Sequence, residues 1–206
     1  MSFIAYSQFT SLAAVAQEFQ IQMYIATCIA HRDSIAPITS FLERLPIILA
    51  QCLHKSSVAV RCEMLIAPIL YDVWQEYRSM LKLWSHVALD HDFVLCGTPK
   101  YLIAKQSELG VAVLGKPILV AIEAKQDDFE LGWGQCSAEM VSVQKINADE
   151  EMTVFGIATN GESWEFGKLE GKCFTYPYTI GDLEKLFGVL SYIMEECAKQ
   201  VTQVQR

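Results

Sequence analysis

Glu123 and Lys125 close a run of apolar residues, Ile118-Leu119-Val120-Ala121-Ile122, that otherwise reads as a strand buried on both faces. Charged side chains seldom belong in such a place unless something pairs with them. Two positions apart on an extended chain, they project to one face about 6.6 Å from each other. A carboxylate beside an ammonium at the open end of a buried strand suits phosphodiester hydrolysis. The carboxylate can hold Mg²⁺ through oxygen, and the lysine can orient the attacking water or stabilise charge on the phosphate. Taken alone, Glu-x-Lys is also the pattern of an ordinary ion pair at a strand end.

The elements that must position this pair follow from periodicity and turn chemistry. Downstream, Asp127-Asp128 reads as N-cap and first-turn acids of a helix running to about Asn147. Gln135 lies one turn into that helix, and Glu139 shares its face four residues on; Glu139 reads as a solvated or Lys145-paired glutamate. Trp133-Gly134 reads as packing. Val154–Thr159 is a further apolar strand, and Asn160-Gly161 signals a hairpin into Ser163–Lys168 and Cys173–Tyr176. An amphipathic helix from Asp182 to about Gln200 ends the pattern.

Upstream, Thr10 or Ser11 caps a helix to about Gln20, and Ile21–Ile29 reads as a strand. His31-Arg32-Asp33-Ser34 is a turn, and a short helix runs through Phe41, Leu45 and Leu49. Ser56-Ser57 starts a long helix that Pro68 should kink or divide, with Glu63 about one turn before the kink. Leu83–Leu89 and Phe93–Leu95 are strand-like, Cys96-Gly97-Thr98-Pro99 is a turn, Tyr101–Ala104 is a strand, and 107–116 is a loop. The order is helices, three strands, helix, strand, hairpin, helix, which makes residues 1–206 one mixed α/β domain with residues 1–55 as an N-terminal extension.

Composition bounds the function. Of 206 residues, 52% are hydrophobic and 19% charged, enough for a large core and suggestive of surface buried in a homodimer. The net charge of −8 runs against a dedicated nucleic-acid binder, although a basic cleft can sit on an acidic protein. Seven scattered cysteines without C-x-x-C spacing read as buried small hydrophobes in a reducing compartment. Met1-Ser2-Phe3-Ile4-Ala5 lacks the start of a signal peptide, and no apolar run spans a bilayer, so a cytoplasmic, non-membrane protein is expected. Histidines 31, 54, 86 and 91 have no metal spacing, and no phosphate-binding loop or nucleophile elbow occurs.

Gly97-Thr98-Pro99-Lys100-Tyr101-Leu102, then Val120-Ala121-Ile122-Glu123-Ala124-Lys125, then Gly134-Gln135 on a helix, resembles the PD-(D/E)xK nuclease superfamily over roughly residues 56–160. The resemblance implies a restriction-endonuclease-like fold: a mixed central sheet flanked by helices, with an N-terminal helical extension and a C-terminal amphipathic helix. It also implies Mg²⁺-dependent endonuclease chemistry on DNA. Glu63 on the preceding helix and Glu123 would be the metal ligands, with Lys125 and Gln135 as further catalytic residues. Lys100 stands where the family has the central metal-binding aspartate. That exchange shifts the local charge by two units and removes an oxygen donor. The expectation is that Lys100 pairs with Glu123 or Glu63, stands in for the cation and impairs hydrolysis, unless Asp90 or Asp92 supplies the missing carboxylate. The alternative function is a catalytically inactive nuclease-fold protein that binds nucleic acid or a protein partner.

Overall fold

A computed structural model describes residues 6–26, 29, 37, 39–52 and 57–204. The turn expected at His31–Ser34 lies outside them. A seven-stranded sheet runs through the molecule in the order β1-β7-β6-β5-β4-β3-β2. These strands are β1 (Gln22–Tyr24), β2 (Leu81–Ser85), β3 (Tyr101–Lys105), β4 (Ile118–Ala124), β5 (Val154–Thr159), β6 (Trp164–Glu170) and β7 (Cys173–Ile180). β1–β7 and β4–β5 pair in parallel; the other neighbours are antiparallel. The mixed central sheet flanked by helices, expected from the sequence, is the architecture the chain adopts.

Two apolar layers cover the sheet. On one face lie α3 (Val58–Arg61), a π turn (Cys62–Ile66), α4 (Ala67–Trp74) and the C-terminal amphipathic α6 (Leu183–Val204), packed on Val120, Ile122, Ile157 and Phe166. On the other lie α1 (Leu12–Phe19) and α5 (Phe129–Asn147), packed on Leu102, Ala104, Ala121 and Ala158. A further helix, α2 (Thr39–Cys52), contributes Phe41 and Ile48 to the first layer.

The long helix expected from Ser56-Ser57 is capped by the Ser57 side chain, which accepts from the Val60 N–H. It is divided as Pro68 requires. Proline cannot donate to the carbonyl four residues back and its ring crowds that carbonyl. Here the backbone widens to a π turn just before it, with the Ala67 N–H reaching the Cys62 carbonyl.

The segment 81–99 departs from expectation. β2 begins at Leu81 and stops at Ser85, because His86 takes a left-handed backbone (φ 51°) and turns the chain out of the sheet. Residues 93–95 form a loop rather than a strand: the Asp92 carboxylate accepts from the Val94 and Leu95 N–H groups, both at 2.8 Å. Those backbone donors hold the Asp92 carboxyl below its ordinary range. Asp90 accepts from the Gly97 N–H at 3.2 Å. Both acids are therefore engaged in shaping this loop. The strand expected over Ile21–Ile29 is realised only as the exposed three-residue β1.

The N-terminal segment is fastened across α5. Ser11 caps α1 by accepting from the Ala14 N–H, and the Tyr6 hydroxyl donates to the Leu89 carbonyl at 2.6 Å. Gly134 makes the close approach possible, since a Cβ there would lie 2.3 Å from the Phe9 carbonyl oxygen.

Candidate active site

β4 is buried along its whole length, and its alternation sends Ala121 and Glu123 to the α5 face while Val120, Ile122 and Ala124 face α4 and α6. Glu123 is 3% exposed. Its Oε1 accepts from the Ala124 N–H at 3.0 Å and from the Lys125 ammonium at 3.3 Å. Just past the strand, the Lys125 N–H donates to the Thr159 carbonyl at 3.0 Å, which ties the strand end to β5. The lysine stem lies over Gly132, where a Cβ would come within 3.4 Å of the Lys125 Cγ. The ammonium end is at the edge of solvent, with the side chain 23% exposed.

The turn from β4 into α5 is closed by Asp128, the N-cap, whose side chain accepts from the Leu131 N–H at 2.9 Å. Asp128→Ala should cost about 1 kcal/mol in urea unfolding. No change at all would mean that the cap is redundant with the packing of α5.

From Gly132 to Gln144, α5 is buried on every side, between the sheet and the N-terminal segment. The Cys136 thiol donates to the Ala121 and Ile157 carbonyls, which fixes the helix over β4 and β5. One turn later stands Glu139, 1% exposed. Burial raises its carboxyl well above the ordinary range, and the neighbouring Glu123 charge pushes it further in the same direction. Both causes disfavour a second negative charge beside Glu123 and hold Glu139 towards its neutral form. Its Oε2 has no hydrogen-bond partner among the described residues. The expectation of a solvated or Lys145-paired Glu139 is thus corrected: the Lys145 ammonium lies over the Phe19 ring, 5.8 Å from its centroid.

Lys100 enters from β3. It directly precedes β3, whose Tyr101 pairs with Ile122, the residue before Glu123. Its positive charge favours ionisation of Glu139 and of the buried Cys62 thiol, but burial prevails at both, and each stays raised. Lys100 makes no ion pair within 4.0 Å among the described residues; Lys125, two residues along the strand, is the partner of Glu123. The expected Lys100–Glu123 or Lys100–Glu63 contact is therefore replaced by a pair within one strand end.

Glu63 is exposed on the π turn, in the helical layer on the opposite face from Glu139. Cys62, Leu65 and Ile66 turn inward there, and Glu63 falls on the outward side. Its charge reaches the buried Cys62 thiol, as do those of Lys100 and Glu123. Gln135, four residues before Glu139, is nearly buried, and its amide bonds no described residue. Trp133 is fully enclosed: its indole N–H donates to Glu165 at 2.7 Å and its ring meets Phe174 and Tyr176 edge-on. A role in packing follows.

The cluster holds Glu123, Glu139, Lys100 and Lys125. With Glu139 neutral, its formal charge is +1 before any metal enters. Mg²⁺ does not fit this arrangement: Glu123 is already paired with the Lys125 ammonium, and Lys100 adds a second positive charge. Among the described residues, no group of three or more His, Cys, Asp or Glu side chains is placed to hold a metal ion. None of the described helices is long and apolar enough to cross a membrane.

No family model matches the chain. Nor does any curated protein. Among solved structures, the type IIG restriction endonuclease BpuSI is similar over 70% of this chain and 16% of its own, with 13% sequence identity and a TM-score of 0.40.

Proposed function

We propose that the protein is a PD-(D/E)xK endonuclease-like protein in which Lys100 suppresses metal-dependent phosphodiester hydrolysis, leaving a module that binds DNA without cutting it. The observation that supports this reading is the pairing of Tyr101 with Ile122, which makes Lys100 and Glu123 the next residues at adjoining strand ends. Glu123 and Lys125 stand at a strand end where hydrolytic chemistry would be placed, on the face of a helix that presents Glu139 and Gln135. The charges there are balanced by lysines, and a divalent cation would meet an ammonium in place of a carboxylate. With no metal to generate hydroxide or clamp the phosphate, this centre lacks the means to cleave at an appreciable rate.

Plasmid nicking with Mg²⁺ or Mn²⁺ tests the reading. The unaltered protein should nick no faster than Glu123→Ala; cleavage at least tenfold faster than that variant would refute suppression by Lys100. DNA retention should fall steeply with salt, as phosphate contacts dictate. Retention that is absent at low salt would point to a protein partner instead.

A further inference from the structure

β2 ends where the chain turns left-handed at His86 (φ 51°), a backbone that few residues other than glycine adopt. The turn sets an exposed imidazole at the same end of the sheet as Lys100 and the Glu123–Lys125 pair. Ser85 pairs with Tyr101 and Tyr101 with Ile122, and the His86 N–H donates to the Lys100 carbonyl at 3.0 Å. The ring is held from two sides. Its Nδ1 lies 2.8 Å from the Ser85 Oγ, and it meets the Tyr101 ring edge-on with centroids 6.0 Å apart. Tyr101 is itself fixed, buried on β3 with its hydroxyl donating to the Cys62 carbonyl at 3.0 Å. The other ring nitrogen, Nε2, has no hydrogen-bond partner or ion pair among the described residues.

We propose that His86 is a DNA-phosphate contact, with Nε2–H as the donor and Ser85 as its positioning residue. This rests on the DNA-binding reading given above and names a side chain through which the binding is made. When the Ser85 hydroxyl donates to Nδ1, the proton of the neutral ring sits on Nε2 and is available to an acceptor. An imidazole pinned in this way has already lost the rotamer freedom that binding would otherwise cost. A phosphate oxygen suits the place, because it takes one directed N–H next to Lys100, whose charge draws it to this end of the sheet.

The experiment is the affinity of the full chain for a labelled DNA duplex at one fixed, low salt concentration. His86→Gly keeps the left-handed backbone and removes the ring. His86→Asn also accepts that backbone, and its short amide reaches only as far as Nδ1. Both should bind the duplex roughly tenfold more weakly, the order of one hydrogen bond to a charged oxygen. Ser85→Ala should lose part of that affinity, because the ring stays but its tautomer is no longer set; Ser85→Thr, which keeps the hydroxyl, should restore it. Melting temperatures report that each variant folds. If His86→Asn binds as tightly as the unaltered protein, Nε2 is not the donor and the contact is refuted, while the DNA reading stands. If the unaltered protein retains no duplex at low salt, both fall together.

Discussion

Lys100→Asp should increase Mg²⁺-dependent plasmid nicking at least 100-fold over the unaltered protein. The exchange changes the local charge by two units and adds an oxygen donor at the strand end beside the one that carries Glu123. An ammonium about 6 Å from a divalent cation is repelled by roughly 5 kcal/mol at an effective dielectric near 20. Lys100 is partly exposed, so solvent screening and side-chain motion take away much of that figure. Half of it is still nearly a hundredfold in metal affinity, at about 1.4 kcal/mol per factor of ten. The new carboxylate adds its own attraction. Lys100→Asn separates the two contributions, because it removes the charge without supplying an ionised ligand; its gain should fall between the unaltered protein and Lys100→Asp. Adding Glu123→Ala to Lys100→Asp should return nicking to background. A Lys100→Asp protein that folds and binds DNA yet cuts no faster would place the block elsewhere.

The second large effect concerns stability and its dependence on pH. Glu139 is held well above the ordinary glutamate range, by burial first and by the Glu123 charge second. The folded state therefore binds this proton more tightly than the unfolded chain. The stability it contributes is fully present below the unfolded value, about pH 4.3. It is lost progressively as pH rises from there through the folded value, at about 1.4 kcal/mol for each pH unit inside that window. Glu139→Gln cannot ionise, so it should be more stable than the unaltered protein above pH 5, with the difference widening as pH increases. Urea unfolding at pH 5, 6, 7 and 8 measures this directly. Parallel pH profiles would mean that Glu139 is ionised in the fold and that its partner is a cation.

Much of this molecule can be read from its residues. Ile118–Ile122 announces β4, Asp128 the start of α5 and Asn160-Gly161 the hairpin, because each relies on local chemistry: apolar runs, side-chain caps, turn dipeptides. The limits of β2 depend on long-range facts instead. The left-handed backbone at His86 and the Asp92-bonded loop both serve the packing of residues 86–97 around Tyr6, which pairs through its N–H with the Cys96 carbonyl. The residues around Glu63 read as regular helix, and the π turn before Pro68 leaves no local signal in them. Glu139 was legible in principle. Thirteen residues of helix with a single charge cannot have a wet side, and a glutamate there must find its partner in the interior. Lys145, six residues on, does not share its face of the helix.

The parallel pairing of β1 with β7 sets a schedule for assembly. Gln22 meets Cys173 and Tyr24 meets Thr175, so one border of the sheet joins segments about 150 residues apart in the chain. Closing so long a loop carries an entropic penalty that only a preformed β5–β6–β7 template can offset. During synthesis, the early segment must wait, unpaired, until β5, β6 and β7 have emerged from the ribosome. The border it completes is thus the last piece of the sheet to be laid down, and in thermal or denaturant unfolding it should be the first to detach.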